Sequence, residues 1–290
     1  MIILDLSQVM LSNIMMQLGN HTNAAVEENM VRHMVLNSIR SYKTKFGAEY
    51  GELVIACDNK NYWRRQLFPY YKANRKKSQA ASELDWKAIF ECLNKIRSEL
   101  KEHFPYRIID VESAEADDII GTLCQEFGDD SGMNLPSVEK ILILSGDKDF
   151  QQLQRFSNVE QYDPVRKKKI VCKDPKRFLL EHVIKGDAGD GIPNILSDDN
   201  CFVVGKRQSP VTQKKLDALI AGGTDGMLDH HYRNYMRNKS LIDLTMIPEK
   251  IKLQVLESYD EQANKKTPPL INYFIANRLR NLTESIGDFV

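Results

Sequence analysis

The sequence predicts an α/β fold: a mainly parallel central sheet with helices on both faces, followed by a helical lobe. Three observations carry that expectation. Short aliphatic runs recur through the first half, stretches with apolar residues at helical spacing separate them, and strand-like runs stop beyond residue 174. A run of branched residues without polar alternation marks a strand buried on both faces, the kind found in parallel sheets. Strands that alternate with helices build that architecture.

The first strand is expected at Ile2–Leu6. Val26, Met30, Met34 and Ile39 then recur at helical spacing, with Gly47 as a helix stop. Leu53–Cys57 reads as the second strand. Ser82 and Asp85 resemble a capping box ahead of a stripe of Trp86, Ile89, Phe90, Leu93, Ile96 and Leu100. Arg107–Val111 is the third strand, and Ser113 is placed to cap a helix bearing Ile119, Ile120, Leu123 and Phe127. Ile141–Leu144 is the fourth and driest strand. Glu160–Cys172 continues as strand, broken by a turn at Tyr162-Asp163-Pro164 and a basic run from Arg166 to Lys169. Asp174-Pro175 starts a helix that ends near Lys185-Gly186, with cap and first-turn proline in their preferred places. The remainder reads as helices broken at Gly222-Gly223, Pro248 and Pro268-Pro269, so a boundary is expected near 174: residues 1–173 as the α/β core, 174–290 as the lobe.

Composition narrows the class. At 290 residues and 42% hydrophobic content the chain can bury a sizeable core, while 40 basic and 40 acidic residues leave the net charge silent about partners. Five cysteines without a C-x-x-C pair read as buried free thiols of a reducing compartment. The opening MIILDLSQ has no basic stretch before its apolar residues, and no apolar run approaches membrane-spanning length. A soluble cytoplasmic protein with no membrane partner is the expectation.

The acids are the informative feature. In an open α/β sheet, ligands bind outside the carboxyl ends of the strands. Asp5 closes the first strand, Asp58 follows the second, Glu115, Asp117 and Asp118 follow the third, and Asp147 and Asp149 follow the fourth. Such a cluster repels itself in a partly dry crevice. A helix N-terminus offsets only about 0.3–1 kcal/mol per charge, so cations are needed. Carboxylates without accompanying His or Cys point to Mg²⁺ or Mn²⁺, and so many acids call for more than one ion. The six histidines show no ligand spacing. Asp187 and Asp190, in the Gly- and Pro-punctuated loop GDAGDGIPNI, are candidates for a second arm of the cluster.

Between the second strand and the Trp86 helix, the segment from Tyr62 to Lys77 holds Arg64, Arg65, Lys72, Arg75, Lys76 and Lys77 and no acid, interleaved with Tyr62, Trp63, Phe68, Tyr70 and Tyr71. Basic groups suit phosphates and rings suit bases. The segment springs from Asp58, at the acidic edge.

Taken together, ILDLSQ, CDNKNYWRR, YYKANR, EADD at 115–118, SGDKDF, KGDAGDGIP and LTESIGDF resemble the flap endonuclease/5′-nuclease family, most closely its T-even bacteriophage branch. The resemblance spans nearly the whole chain. It implies a PIN-like nuclease core with a basic arch at about 60–82, and a duplex-binding lobe with a helix–three-turn–helix hairpin. It implies a 5′→3′ exonuclease and flap endonuclease that removes RNA primers and adjacent DNA from lagging-strand fragments, as a monomer, in the host cytoplasm if phage-encoded. Forked, flapped or nicked DNA and RNA·DNA duplex would be its substrates. Single-stranded-DNA-binding protein and a sliding clamp would be its partners.

By motif, Asp5, Asp58, Glu115, Asp117, Asp118 and Asp147 would serve one Mg²⁺, directly or through water, and Asp149, Asp187 and Asp190 a second, with Mn²⁺ able to substitute. Asp117 and Asp147 would be central to catalysis, with Lys72 and Arg75 beside the scissile phosphate. Arg64, Arg65, Tyr70, Tyr71, Lys72, Arg75, Lys76 and Lys77 would contact nucleic acid. Two-metal hydrolysis activates water at one ion and stabilises the leaving oxygen at the other. Two positions differ from the family pattern: Gly191 stands where an Asn precedes Ile-Pro, and NILSDDNCFVVGKRQ replaces a glycine-rich second turn. A haloacid-dehalogenase-type phosphatase would need a second Asp two residues after Asp5, where Ser7 stands. A non-catalytic fork-binding protein would have lost acids, and none of the matched ones is missing.

Overall fold

The computed structural model describes residues 1–18, 26–133 and 138–290, with the side chains of all of these except 17 and 76–78. The elements in chain order are β1 (Ile2–Asp5), α1 (Leu6–Leu18), α2 (Glu28–Tyr50), β2 (Leu53–Ala56), α3 (Trp63–Leu67), α4 (Ala73–Ala80), α5 (Trp86–His103), β3 (Arg107–Ile109), α6 (Ala116–Phe127) and β4 (Ile141–Leu144). A 3₁₀ helix at Lys148–Arg155 leads to β5 (Val159–Asp163) and β6 (Lys168–Ile170). The rest is helical: α7 (Pro175–Lys185), α8 (Gln213–Gly222), α9 (Asp229–Ile242), α10 (Glu249–Glu261), α11 (Leu270–Ala276) and α12 (Arg280–Thr283).

The sheet runs β3-β2-β1-β4-β5-β6, parallel except for β6, which pairs antiparallel with β5. β1 lies against both β2 (Asp5 opposite Ala56) and β4 (Leu4 opposite Leu144). The strand order reverses there, so the crevice at the carboxyl ends of β1, β2 and β4 is the place a ligand enters.

Alternation along the strands separates two cores. Ile2, Leu4, Ile55, Ile108, Leu142 and Leu144 pack against α1, α2 and α5 on one face. Ile3, Val54, Ala56, Ile109, Ile141 and Ile143 pack against α6 and the 3₁₀ helix on the other. Each such buried side chain contributes roughly 1.5–3 kcal/mol.

Several elements differ from expectation. Helix α1 follows β1 with no connecting residue, because Asp5 accepts a hydrogen bond from the Gln8 amide and satisfies the first turn. Helix α2 runs through Gly47 to Tyr50, with Gly51 as its C-cap, and buries Val31, Val35, Leu36 and Ile39, while Met30 is exposed. Asp85 alone caps α5, by accepting from the Ala88 amide, and Cys92 rather than Phe90 faces the core. Glu115, not Ser113, caps α6, in a reciprocal capping box with Asp118.

The boundary at 174 separates chain segments, not cores. A third apolar cluster joins Phe68 and Tyr71 of the basic segment to Val183, Ile184, Leu216, Tyr235 and Ile242. Downstream, Leu244, Ile247, Ile251 and Val255 return to the α6 face, and Tyr273, Phe274, Leu279 and Phe289 return to the opposite one. Gln152 fastens the joint: its amide donates to the Ile242 carbonyl and accepts from the Leu244 amide. At the β3 flank, Gln262 accepts from the Ile108 amide and donates to its carbonyl. No described helix is long and apolar enough to cross a membrane, and the five cysteines are unpaired.

A fragment ending at residue 173 uncovers both faces. It is expected to melt without a cooperative transition, whereas the full chain melts as one. Circular dichroism of the two on heating checks this, and a sharp transition in the fragment counts against a shared core.

Candidate active site

Each acid at the sheet edge is held by its own local bonds. Asp5 accepts from the Gln8 amide and, through Oδ2, from Ser145 Oγ at 3.1 Å. Asp58 accepts from the Ala116 amide at 2.8 Å, which draws the N-terminus of α6 to the end of β2. Asp147 caps the 3₁₀ helix by accepting from the Asp149 amide. The Ser145–Asp147 loop is pinned from both sides: buried Gln161 donates to the carbonyls of Ser145 and Asp147, and Gln8 accepts from the Gly146 amide. A side chain at Gly146 would meet the Asp163 carboxylate at 2.9 Å, so only glycine lets the loop lie this close.

The crowding shows in the proton affinities. Burial pushes the Asp5 carboxyl up to about 7, with Asp58 and Asp147 adding to it and the bonds from Gln8 and Ser145 opposing. Asp117 is held well above the usual carboxylate range by burial and then by the charge of Asp147. These groups share a negative crevice that protons or cations must neutralise.

Next to it lies a buried ion cluster. Arg64 is 2% exposed. Its guanidinium contacts Glu115 at 3.0 Å and Asp118 at 2.8 Å, and its Nε donates to the Leu241 carbonyl. Lys72 Nζ lies 2.5 Å from Glu115 and 3.6 Å from Asp190. Burial works against the Lys72 charge, but Glu115 and Asp190 outweigh it and raise its proton affinity. Tyr71 donates toward Glu115, and its oxygen lies 3.1 Å from Asp190. Trp63 donates to Asp118.

A second acidic group forms across the 3₁₀ helix and α7. Asp149, His182 and Asp187 offer ligand atoms that all lie within 4.8 Å of one another. His182 Nε2 is 3.5 Å from Asp149 and 3.4 Å from Asp187, and Lys148 Nζ is 3.0 Å from Asp187. Burial raises Asp149 to about 7, helped by Asp147, Asp187 and Asp190 against His182. For Asp187, burial works upward, but His182 and Lys148 hold it well below the usual range. Asp190 turns instead to the basic segment, contacting Arg75 at 2.6 Å and, through its carbonyl, accepting from the Lys72 amide. Gly191 takes φ 71°, with the Tyr70 carbonyl 3.0 Å from where a Cβ would stand. This is the left-handed region that Gly, and next Asn, adopt.

The structure therefore redistributes the expected residues. Asp5, Asp58, Asp117 and Asp147 share the crevice. Glu115 and Asp118 lie next to it, buried, and are engaged by Arg64, Lys72, Tyr71, Trp63 and the capping box. Arg64 and Tyr71 are internal counterparts of carboxylates and do not present themselves to a nucleic acid. Arg65 and Arg75 are exposed, and Tyr70 is half-buried on the third cluster. Lys76 and Lys77 fall on α4, and their side chains lie outside the described residues. Sequence reasoning missed His182, Lys148, Gln161 and Gln8. His182 stands five residues before Asp187, on the other side of a helix end, and no simple spacing rule flags that.

Residues 5–181 match the model of the 5′-3′ exonuclease N-terminal, resolvase-like domain. That is more than half of the chain. The chain belongs to the 5′-3′ exonuclease family. It is a nuclease of the 5′-3′ exonuclease and flap endonuclease type. Residues 175–289 match the C-terminal domain model of T4 RNase H. The chain is similar to the ribonuclease H of Enterobacteria phage T4, 32% identical over 301 residues, covering 99% of this chain and 95% of that one. It is also similar to a 5′-3′ exonuclease of Buchnera aphidicola, 29% identical over 49% of this chain and 47% of that one. In fold it resembles the bacteriophage T5 flap endonuclease, solved with DNA and metal ions: TM-score 0.63, 17% identity, 91% of this chain and 99% of that one. A T5 5′-exonuclease with bound zinc gives a TM-score of 0.60 at 16% identity, over 90% of this chain and 99% of that one. The family is metal-dependent, and Asp149, His182 and Asp187 are grouped closely enough to hold a metal ion, beside the carboxylates of the crevice.

Two outcomes follow from the charges. Arg64→Ala strands Asp118 without a counterion, while Glu115 keeps Lys72, and is expected to cost about 3–5 kcal/mol, whereas Arg65→Ala, on the exposed face of α3, should change stability by within about 0.5 kcal/mol. Urea midpoints of the two variants check this. The second outcome concerns pH. Asp5 and Asp149 each titrate near 7 when folded against 3.8 unfolded, so between these values the folded chain binds more protons. Stability of the metal-free protein should therefore fall as pH rises from about 4 to about 7. Asp187, shifted downward, acts oppositely but only below 3.8. Melting in EDTA should be lower at pH 8 than at pH 6, and Mg²⁺ should remove most of the difference. A melting temperature that rises over this interval in EDTA would show that the crevice is not strained by its charge.

Proposed function

We propose that this nuclease removes RNA primers and adjacent DNA from the 5′ ends of lagging-strand fragments, acting on RNA·DNA and on flapped, forked or nicked DNA with two Mg²⁺ ions. The observation that carries this reading is the convergence of Asp5, Asp58, Asp117 and Asp147 at one sheet edge, beside a second acidic group and a segment of cationic side chains. Divalent ions held there supply Lewis-acid activation of water and neutralise phosphate charge.

The chain's own residues do the rest. Asp147 and Asp117 hold the charge that fixes the first ion, and Asp5 and Asp58 orient the surrounding donors. Lys72 stays protonated beside Glu115 and, with Arg75, offsets negative charge on the phosphate oxygens. Arg75 is half-exposed and can leave Asp190 for a phosphate. Water adds its oxygen to phosphorus, the bond to the 3′ oxygen breaks, and the products carry a 5′-phosphate and a 3′-hydroxyl. In this reading the protein works as a monomer in the cytoplasm. Arg65, Lys76 and Lys77 track the backbone of the strand, and α7 to α9 grip duplex. The C-terminal helices are offered as a contact for single-stranded-DNA-binding protein or a sliding clamp.

Single-turnover cleavage of a 5′-labelled flap across a Mg²⁺ titration tests the reading. Asp147→Asn should abolish cleavage and retain or tighten binding, since one negative charge is gone. Asp190→Asn should slow cleavage less and recover in part at higher Mg²⁺ or with Mn²⁺. Wild-type rates from Asp147→Asn would refute the assignment.

A further inference from the structure

Asp149, His182 and Asp187 are brought together by two elements distant in sequence. Asp149 sits in the first turn of the 3₁₀ helix and His182 in the last turn of α7, while Asp187 follows that helix end. Helix α7 is anchored at its start by Asp174, which accepts from the Arg177 amide, and the Phe178 ring backs the imidazole at 5.7 Å. The histidine is 6% exposed, yet its Nε2 has no hydrogen-bond partner. Asp149 Oδ1, the atom it faces at 3.5 Å, has none either. Buried polar atoms are almost always paired. Two orphans pointing at one another, with Asp187 Oδ2 3.4 Å from the same nitrogen, enclose a point where a small cation satisfies all three. Lys148, about half-exposed, is the one ammonium on Asp187 among the described residues and is free to withdraw.

We infer that His182 is a ligand of the second divalent ion, which it binds through Nε2 together with Asp149 and Asp187, and that this makes the site prefer Mn²⁺ and later first-row ions over Mg²⁺. The inference rests on the two-ion reading above. The preference follows from donor type: imidazole suits transition metals, whereas Mg²⁺ favours oxygen and water.

Pulsed electron paramagnetic resonance of the full chain loaded with Mn²⁺ reads the ligand atom directly. The expected result is nitrogen modulation from a coordinated imidazole, which converts from the ¹⁴N to the ¹⁵N pattern when the histidines are ¹⁵N-labelled and disappears in His182→Gln. Calorimetry should show a fall in Mn²⁺ affinity at that site of about tenfold or more, since losing even an outer partner of a ligand typically costs 10–100-fold. Mg²⁺ affinity should change far less. Absence of nitrogen modulation in the wild type, or its persistence in His182→Gln, overturns the inference. The labelled wild type decides the matter if the variant does not fold. Cleavage that persists with oxygen-only Mn²⁺ spectra would refute this proposal alone. Absence of flap cleavage with any divalent ion would refute the nuclease reading instead.

Discussion

Glu115 and Asp118 occupy the first turn of α6 with almost no access to water, and Arg64 lies between them with Lys72 on the other side of Glu115. Unpaired charges in such a place cost several kcal/mol each, so the fold is obliged to bring the 62–72 segment down onto α6. That obligation organises the rest. The same segment buries Phe68 and Tyr71 against α7 and α9, and it delivers the Lys72 amide to the Asp190 carbonyl. The basic stretch is thus a clamp between core and lobe before it is anything a substrate touches.

A division of labour among charges follows. Carboxylates with internal cations are neutral as a group and give shape. Those without, at the ends of β1, β2 and β4, crowd one another, and the raised proton affinities of Asp5 and of neighbouring Asp117 on α6 measure how poorly the protein alone satisfies those two. Strand order explains why they meet: β1 is flanked by both β2 and β4, so the acids of three strands converge on one crevice.

Much of this was legible. Four aliphatic runs specified four of the five parallel strands, since only burial on both faces tolerates Ile141–Leu144 as it stands, and the acids that follow them specified the edge. Asp174-Pro175 announced α7 for a local reason that needs no tertiary partner. Elsewhere the outcome depended on contacts that a linear pattern does not carry. Arg64 reads like Arg65, its neighbour, yet one is internal and the other exposed, because α3 is a short helix with one face on α6. Helix α1 was hidden because Asp5 serves both as strand end and as cap. His182 was passed over because its partners Asp149 and Asp187 reach it from a different helix and from beyond a turn.

Gln262 has a consequence beyond its bonds. β3 ends the sheet, and an edge strand offers free amides and carbonyls to any passing strand. By giving Ile108 both an acceptor and a donor, one glutamine from the end of α10 occupies the position a neighbouring molecule's backbone would take. The arrangement copies a strand partner without supplying a strand, so it cannot be extended by another copy. A chain made at high local concentration has this flank closed against edge-to-edge aggregation from the moment α10 docks.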